Sequence, residues 1–72
     1  MRAADFIARA ELLREGGAVV AEGGLAAMLL RLERVAPDQR QNFAIRSERI
    51  GTLTAQHAAV LLNTYRGLLH SD

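Results

Sequence analysis

The chain has 72 residues, contains no cysteine and carries a formal charge of +1. These values exclude a disulfide framework and a thiolate site, and the charge is too small for the whole protein to attract a polyanion. A chain of this length buries only a small core, so we expect one domain, residues 1–72, that gains stability by self-association.

Targeting and cofactor signals are absent from the sequence. No apolar run approaches the roughly 20 residues of a membrane span, and the first residues, Met-Arg-Ala-Ala-Asp-Phe, lack the apolar core of a signal peptide. The two histidines have no clustered acids, so no metal site and no cofactor are predicted. We expect a cytoplasmic protein with no membrane partner. Its alanine content and its use of arginine alone as the basic residue are typical of a GC-rich bacterial or phage genome.

Hydrophobic periodicity predicts three helices, at about residues 3–15, 20–36 and 38–69, the last either continuous or broken near Gly51. In the first helix, Phe6, Ala10 and Leu13 share one face. Gly16 and Gly17 should end this helix, because glycine is unfavourable in a helix interior. If the third helix restarts after Gly51, either Thr52 or Thr54 is expected to cap it.

Residues 15–24 form the most ambiguous stretch. The run Ala-Val-Val-Ala is compatible with a short strand, but an isolated strand is unstable and no second strand pattern is apparent. A helical linker is therefore favoured. A phosphate-binding glycine loop is disfavoured, because the stretch lacks the Gly-Lys-Ser/Thr ending of such loops.

The helix prediction is strongest between residues 25 and 36, where apolar residues form a compact stripe and Leu30 lies on the opposite side. Pro37 should end this helix, and the short connection after it implies antiparallel neighbours. We therefore predict an all-α fold: an antiparallel helical hairpin or three-helix arrangement that self-associates into a helical bundle.

Residues 42–69 are predicted to form the amphipathic arm around which the hairpin is organised. Within this arm, His57 is interpreted as packed between the two arms and bonded to backbone carbonyls near Gly16 and Gly17, with a pH-sensitive packing switch as the alternative. His70 is expected in the last helical turn. The predicted apolar face consists of Phe43, Ile50, Leu53, His57, Leu61, Thr64, Tyr65 and Leu68.

No catalytic triad order, nucleophile elbow or carboxylate pair is present, so an enzyme is not predicted. We expect a small regulatory or adaptor protein that binds itself, as a homodimer or larger, and another protein. The alternative is a nucleic-acid-binding regulator that uses an arginine-rich hairpin tip. The candidate partner-binding residues are Leu30, Arg31, Arg34, Arg40, Arg46 and Arg49.

Overall fold

The computed structural model describes residues 3–69. It contains three α-helices, four β-strands and one 3₁₀ turn, Arg40–Asn42, within these residues. In chain order the helices and strands are α1 (Ala3–Ile7), β1 (Arg9–Arg14), β2 (Val19–Gly24), α2 (Leu25–Glu33), β3 (Phe43–Ser47), β4 (Gly51–Thr54) and α3 (Ala55–Leu69).

The four strands form one antiparallel sheet in the order β2-β1-β3-β4. The chain passes twice through the same sequence of elements, a β-hairpin followed by a helix. Because β1 and β3 pair antiparallel at the centre, the two hairpin–helix units are related by an approximate two-fold axis. Leu12 and Ile45 face each other across this axis.

The all-α prediction is wrong, and the first predicted helix shows why. Only Ala3–Ile7 is helical, and the chain then extends into β1. In β1 every second side chain, Ala10 and Leu12, is buried, while Glu11 and Leu13 are half-buried on the other face. The β1 segment is the strand partner of the Ala-Val-Val-Ala run, and the two pair from Arg9 to Leu13.

The long third helix is also absent, and with it the helical hairpin. Residues 43–47 and 51–54 are strands, and α3 begins only at Ala55. The Oγ1 of Thr54 accepts a hydrogen bond from the His57 backbone N–H at 3.3 Å. This bond satisfies one of the free N–H groups at the start of the helix. The expected threonine cap is thereby confirmed.

The glycines that were predicted to interrupt helices form the hairpin turns instead. Gly16 and Gly17 have φ values of 93° and 91°, and Gly51, after the second turn, has a φ of 83°. Side chains other than glycine rarely adopt this backbone region, so glycine is required there. The buried Ser47 supports the second turn, since its Oγ accepts hydrogen bonds from two backbone N–H groups of that turn.

The core lies between one face of the sheet and the helices. Phe6 on α1 packs against it, with its ring centroid 5.0 Å from that of Tyr65 on α3. The stripe predicted for the middle helix is confirmed, because all the buried residues of α2 belong to it. The fully buried side chains of largest volume are Phe6, Leu25, Leu29 and Ile45.

Among residues 3–69 no helix covers the other face of the sheet, which we call the bare face. It carries charged side chains beside the apolar Leu13 and Val19. Glu11 and Glu22 stand directly opposite each other on β1 and β2. Like charges in this position are destabilising, but each carboxylate is paired with an arginine. Arg46 Nε donates to Glu11 at 3.0 Å, and Arg9 donates to Glu22 at 2.9 Å. This face is therefore compatible with water.

The structure also corrects the interpretation of His57. Its side chain is exposed on α3, so it does not pack between helical arms or bind carbonyls at Gly16 and Gly17. His70 lies outside the described residues. Across residues 3–69, no helix has the length and apolar character needed to cross a membrane.

Candidate partner-binding groove

The five arginines predicted to share a hairpin tip are placed on different surfaces. Arg46 lies on the bare sheet face, and Arg49, in the second turn, pairs with Asp5 of α1 at 3.0 Å. Arg40 lies in the connection between α2 and β3. Only Arg31 and Arg34 remain together, at the end of α2. The tip on which the nucleic-acid alternative rested is therefore not formed.

The Arg40 side chain is bonded to the protein backbone rather than surrounded by water. Its Nε donates to the Val35 carbonyl at 2.9 Å, and a terminal nitrogen donates to the Glu33 carbonyl at 2.6 Å. These carbonyls lie at and just beyond the end of α2, where backbone acceptors have no helical partner. Arg40 thus closes the C-terminal end of this helix.

We expect Arg40→Met to lower the free energy of unfolding by about 1–3 kcal/mol, because it keeps the apolar stem but leaves two carbonyls unpaired. Arg46→Met removes only an exposed ion pair and should cost about 0–1 kcal/mol. Urea denaturation of the two variants measures the difference. Equal losses would show that Arg40 does not stabilise the end of α2.

A groove runs between β2 and the C-terminal part of α2. It is open to solvent and has a volume of about 370 Å³. Its floor is aliphatic and no acidic side chain lines it. The lining residues are Leu12, Val20, Ala21, Arg31, Arg34 and Val35.

One wall of the groove is the outer edge of the sheet. Among the described residues no strand pairs with β2 on its outer side. The Leu25 N–H donates to the Ala8 carbonyl at 2.9 Å, one step beyond the Arg9–Gly24 pair. Gly24 is the N-cap of α2, so its C=O accepts the first hydrogen bond of that helix. Because bonded and non-bonded pairs alternate along an antiparallel ladder, the N–H and C=O of Glu22 and the N–H of Gly24 point outward. These groups can pair with another strand.

A bulge shapes this edge. Leu12 pairs with Ala21 and Leu13 pairs with Val19, so Val20 is an extra residue on β2. A bulge of this kind changes the direction of a side chain, and here Val20 contributes to the groove. Further along the strand, Gly24 lies against the end of α1, since a Cβ at this position would be 3.6 Å from the Ile7 carbonyl oxygen.

The other wall of the groove is positively charged. Among the described arginines, only Arg14, Arg31 and Arg34 make no ion pair or hydrogen bond through the side chain. Two of these line the groove. The end of a helix contributes roughly half a negative charge, which two guanidinium groups outweigh. The groove is therefore apolar at its floor and cationic at its rim.

Leu30 is exposed on α2, one helical turn before Arg34, and is not among the residues that line the groove. The sequence indicated the helical side of the groove through Arg31 and Arg34. It did not indicate the strand side. The Val-Val pair of β2 was the one signal for that side, since the run is compatible with a strand, but the sequence favoured a helical linker there.

Comparison with known protein families, curated proteins and solved structures found no match for this chain. Within residues 3–69, no group of three or more histidine, cysteine or acidic side chains is arranged to hold a metal ion. The groove is therefore interpreted from its own geometry and charge.

Proposed function

We propose that this protein is a non-catalytic regulatory or adaptor module that binds an extended, acidic segment of a partner protein in the groove between β2 and α2. The proposal rests on two arginines, Arg31 and Arg34, whose side chains make no ion pair or hydrogen bond within the described residues. They lie above an aliphatic floor and beside an open strand edge.

The binding mode is addition of a fifth strand to the sheet. Main-chain hydrogen bonds to the outward groups of Glu22 and Gly24 supply affinity that does not depend on the partner's sequence. Alternate side chains of the added strand point to opposite faces of the sheet. One set therefore enters the groove and the other extends the bare face.

Specificity comes from those side chains of the added strand that enter the groove. An aliphatic side chain covers the floor formed by Leu12, Ala21 and Val35. An aspartate or glutamate two residues away can reach the guanidinium groups of the rim, and a carboxylate–arginine hydrogen bond is among the stronger polar contacts in proteins. The preferred ligand is an extended segment in which acidic and aliphatic residues share one face.

A library of random twelve-residue peptides displayed on phage tests the proposal, because it samples many ligand sequences and does not require an identified partner. We expect the enriched peptides to be acidic and to show a spacing of two between acidic and aliphatic residues. Affinity of a labelled peptide is then measured by fluorescence polarisation. Arg31→Gln with Arg34→Gln should weaken binding at least tenfold, because hydrogen bonds to charged groups contribute about 1.5–3 kcal/mol each.

The matched control is Arg46→Gln with Arg49→Gln, which removes the same charge from other surfaces and should leave binding within about twofold. An N-methyl scan of the peptide tests strand addition. A methyl group should abolish binding where the peptide N–H donates to the Glu22 carbonyl, and it should be tolerated at the two neighbouring positions, whose N–H groups point away from β2. A scan without this alternation would reject the binding mode.

The nucleic-acid alternative stays a prediction, and the same variants test it. If labelled duplex or single-stranded oligonucleotides bind, if salt weakens that binding steeply and if the loss of Arg31 and Arg34 abolishes it, while no peptide is enriched, the proposed partner class is wrong.

A further inference from the structure

The side of α3 that points away from α2 forms a continuous surface, which we call the outer face. Its residues recur at three- and four-residue intervals and therefore lie on one side of the helix. Val60 and Leu68 are 61% and 43% exposed, His57 and Thr64 are exposed, and Leu61 is half-buried. The outer face consists of His57, Val60, Leu61, Thr64 and Leu68.

The opposite side of α3 contains the residues that approach α2. Ala59, Asn63 and Arg66 line a crevice of about 120 Å³ between the two helices. Arg66 also forms an ion pair with Glu33 of α2. The only charged side chain of α3 is thus directed toward the neighbouring helix rather than toward the outer face.

The outer face is unusual for a surface in water because it contains no acidic residue, lysine or arginine. The surface of a small soluble domain is typically about 25–35% charged. The bare sheet face differs, because beside Leu13 and Val19 it carries two ion pairs, formed by Arg9, Glu11, Glu22 and Arg46. Depletion of charge together with exposed aliphatic side chains is typical of the core of an interface.

We propose that the outer face of α3 is a dimer interface and that its occupant is the same face of a second copy of this chain. A two-fold axis brings identical residues together, so a face with formal charges of one sign would repel itself. The outer face has no such charges, so two copies of it can meet without this repulsion. This inference is independent of the proposed function.

The residues of the outer face recur every three or four positions, and an antiparallel pair of α3 helices brings the outer faces of two copies together. The outer face is centred between Leu61 and Thr64, so Leu61 of one copy lies beside Thr64 of the other, and His57 lies beside Leu68. This seam has the three- and four-residue spacing of antiparallel helix pairs. α3 is about 22 Å long, which makes the interface small. We therefore expect dissociation in the micromolar range.

Dimerisation through α3 leaves the groove between β2 and α2 free. α2 packs over β1 and β2, whereas α3 packs over β3 and β4, at the other side of the sheet. The dimer consequently presents two grooves. Two binding sites on one particle strengthen attachment to a surface that carries many copies of a ligand.

Sedimentation velocity between about 2 and 500 μM tests the interface. We expect a monomer–dimer equilibrium in the natural chain and a monomer at every concentration for Val60→Glu, because the added carboxylate would have to be desolvated in the dimer. The matched control, Asn63→Glu, adds the same charge on the side facing α2 and should still dimerise. Thr64→Arg provides a second test with the opposite charge.

Cross-linking distinguishes this interface from the other exposed surfaces. The chain has no cysteine, so Thr64→Cys and Thr52→Cys each introduce a unique thiol, on the outer face and on the bare sheet face respectively. A short bismaleimide should link the first variant into dimers and leave the second monomeric. A monomeric natural chain at 500 μM, or a dimer that persists in Val60→Glu, would overturn the proposal.

Discussion

Replacing Ile45 by alanine is expected to lower the free energy of unfolding by about 2–5 kcal/mol. Ile45 is 0% exposed and faces Leu12 at the centre of the sheet. Truncation of a buried isoleucine costs about 2–5 kcal/mol, through lost burial and the cavity that remains. A domain of this size has a total stability of about 4–11 kcal/mol. One substitution therefore removes a large part of it.

The measurement is urea denaturation followed by circular dichroism, with Ile7→Ala as the matched control. Ile7 is 79% exposed, so the same chemical change should alter the free energy of unfolding by less than about 0.5 kcal/mol. The pair also separates two folds. A helix over residues 38–69 would place Ile45 about 200° from Phe43, on its polar side. A small effect at Ile45 would contradict the sheet.

Phe6→Ala is expected to have a comparable effect, although α1 is only five residues long. Phe6 is fully buried and its ring contacts that of Tyr65. Loss of a buried phenylalanine side chain costs about 3–5 kcal/mol. In a domain of this size each kcal/mol shifts the Tm by about 4–8 °C, so the Tm should fall by more than about 10 °C.

Thermal denaturation measures this shift, and Phe43→Ala is the control. Phe43 is half-buried at the start of β3, so its truncation should cost clearly less. The near-ultraviolet circular dichroism of Tyr65 gives an independent readout, because it is the only tyrosine and the chain has no tryptophan. An unchanged Tm and tyrosine signal in Phe6→Ala would show that α1 does not anchor to the core.

The two surfaces proposed for binding differ in how far the sequence revealed them. The sequence shows that one side of α3 is uncharged, but it assigned His57, Leu61, Thr64 and Leu68 to the apolar face of a long arm, covered by a second helical arm. In the structure these residues belong to the outer face, and the buried residues of α3 are Ala58 and Leu62 instead. The groove is not visible in the sequence. Its walls come from β2 and α2, and its floor includes Leu12 from β1, so it exists only after the sheet has formed.

The arginines illustrate the same distinction. From the sequence, Arg31, Arg34, Arg40, Arg46 and Arg49 are equivalent polar residues near a proline. Tertiary structure gives three of them intramolecular partners, which lie from 5 to 44 residues away: Val35 for Arg40, Glu11 for Arg46 and Asp5 for Arg49. Such partners are chosen by strand pairing and packing, so the two free arginines could be recognised only in the folded chain.

Local sequence by itself determined the core face of α2, the burial of Phe6 and the positions where glycine breaks regular structure, and it limited the cap of a restarted third helix to Thr52 or Thr54. These features depend on residues within a few positions of one another. The strands depended on tertiary structure. The β1 segment, Arg-Ala-Glu-Leu-Leu-Arg, consists of residues with high helix propensity, and its apolar positions fit either period. Only its pairing with β2 and β3 buries Ala10 and Leu12 together, and this long-range burial outweighs the local preference for a helix.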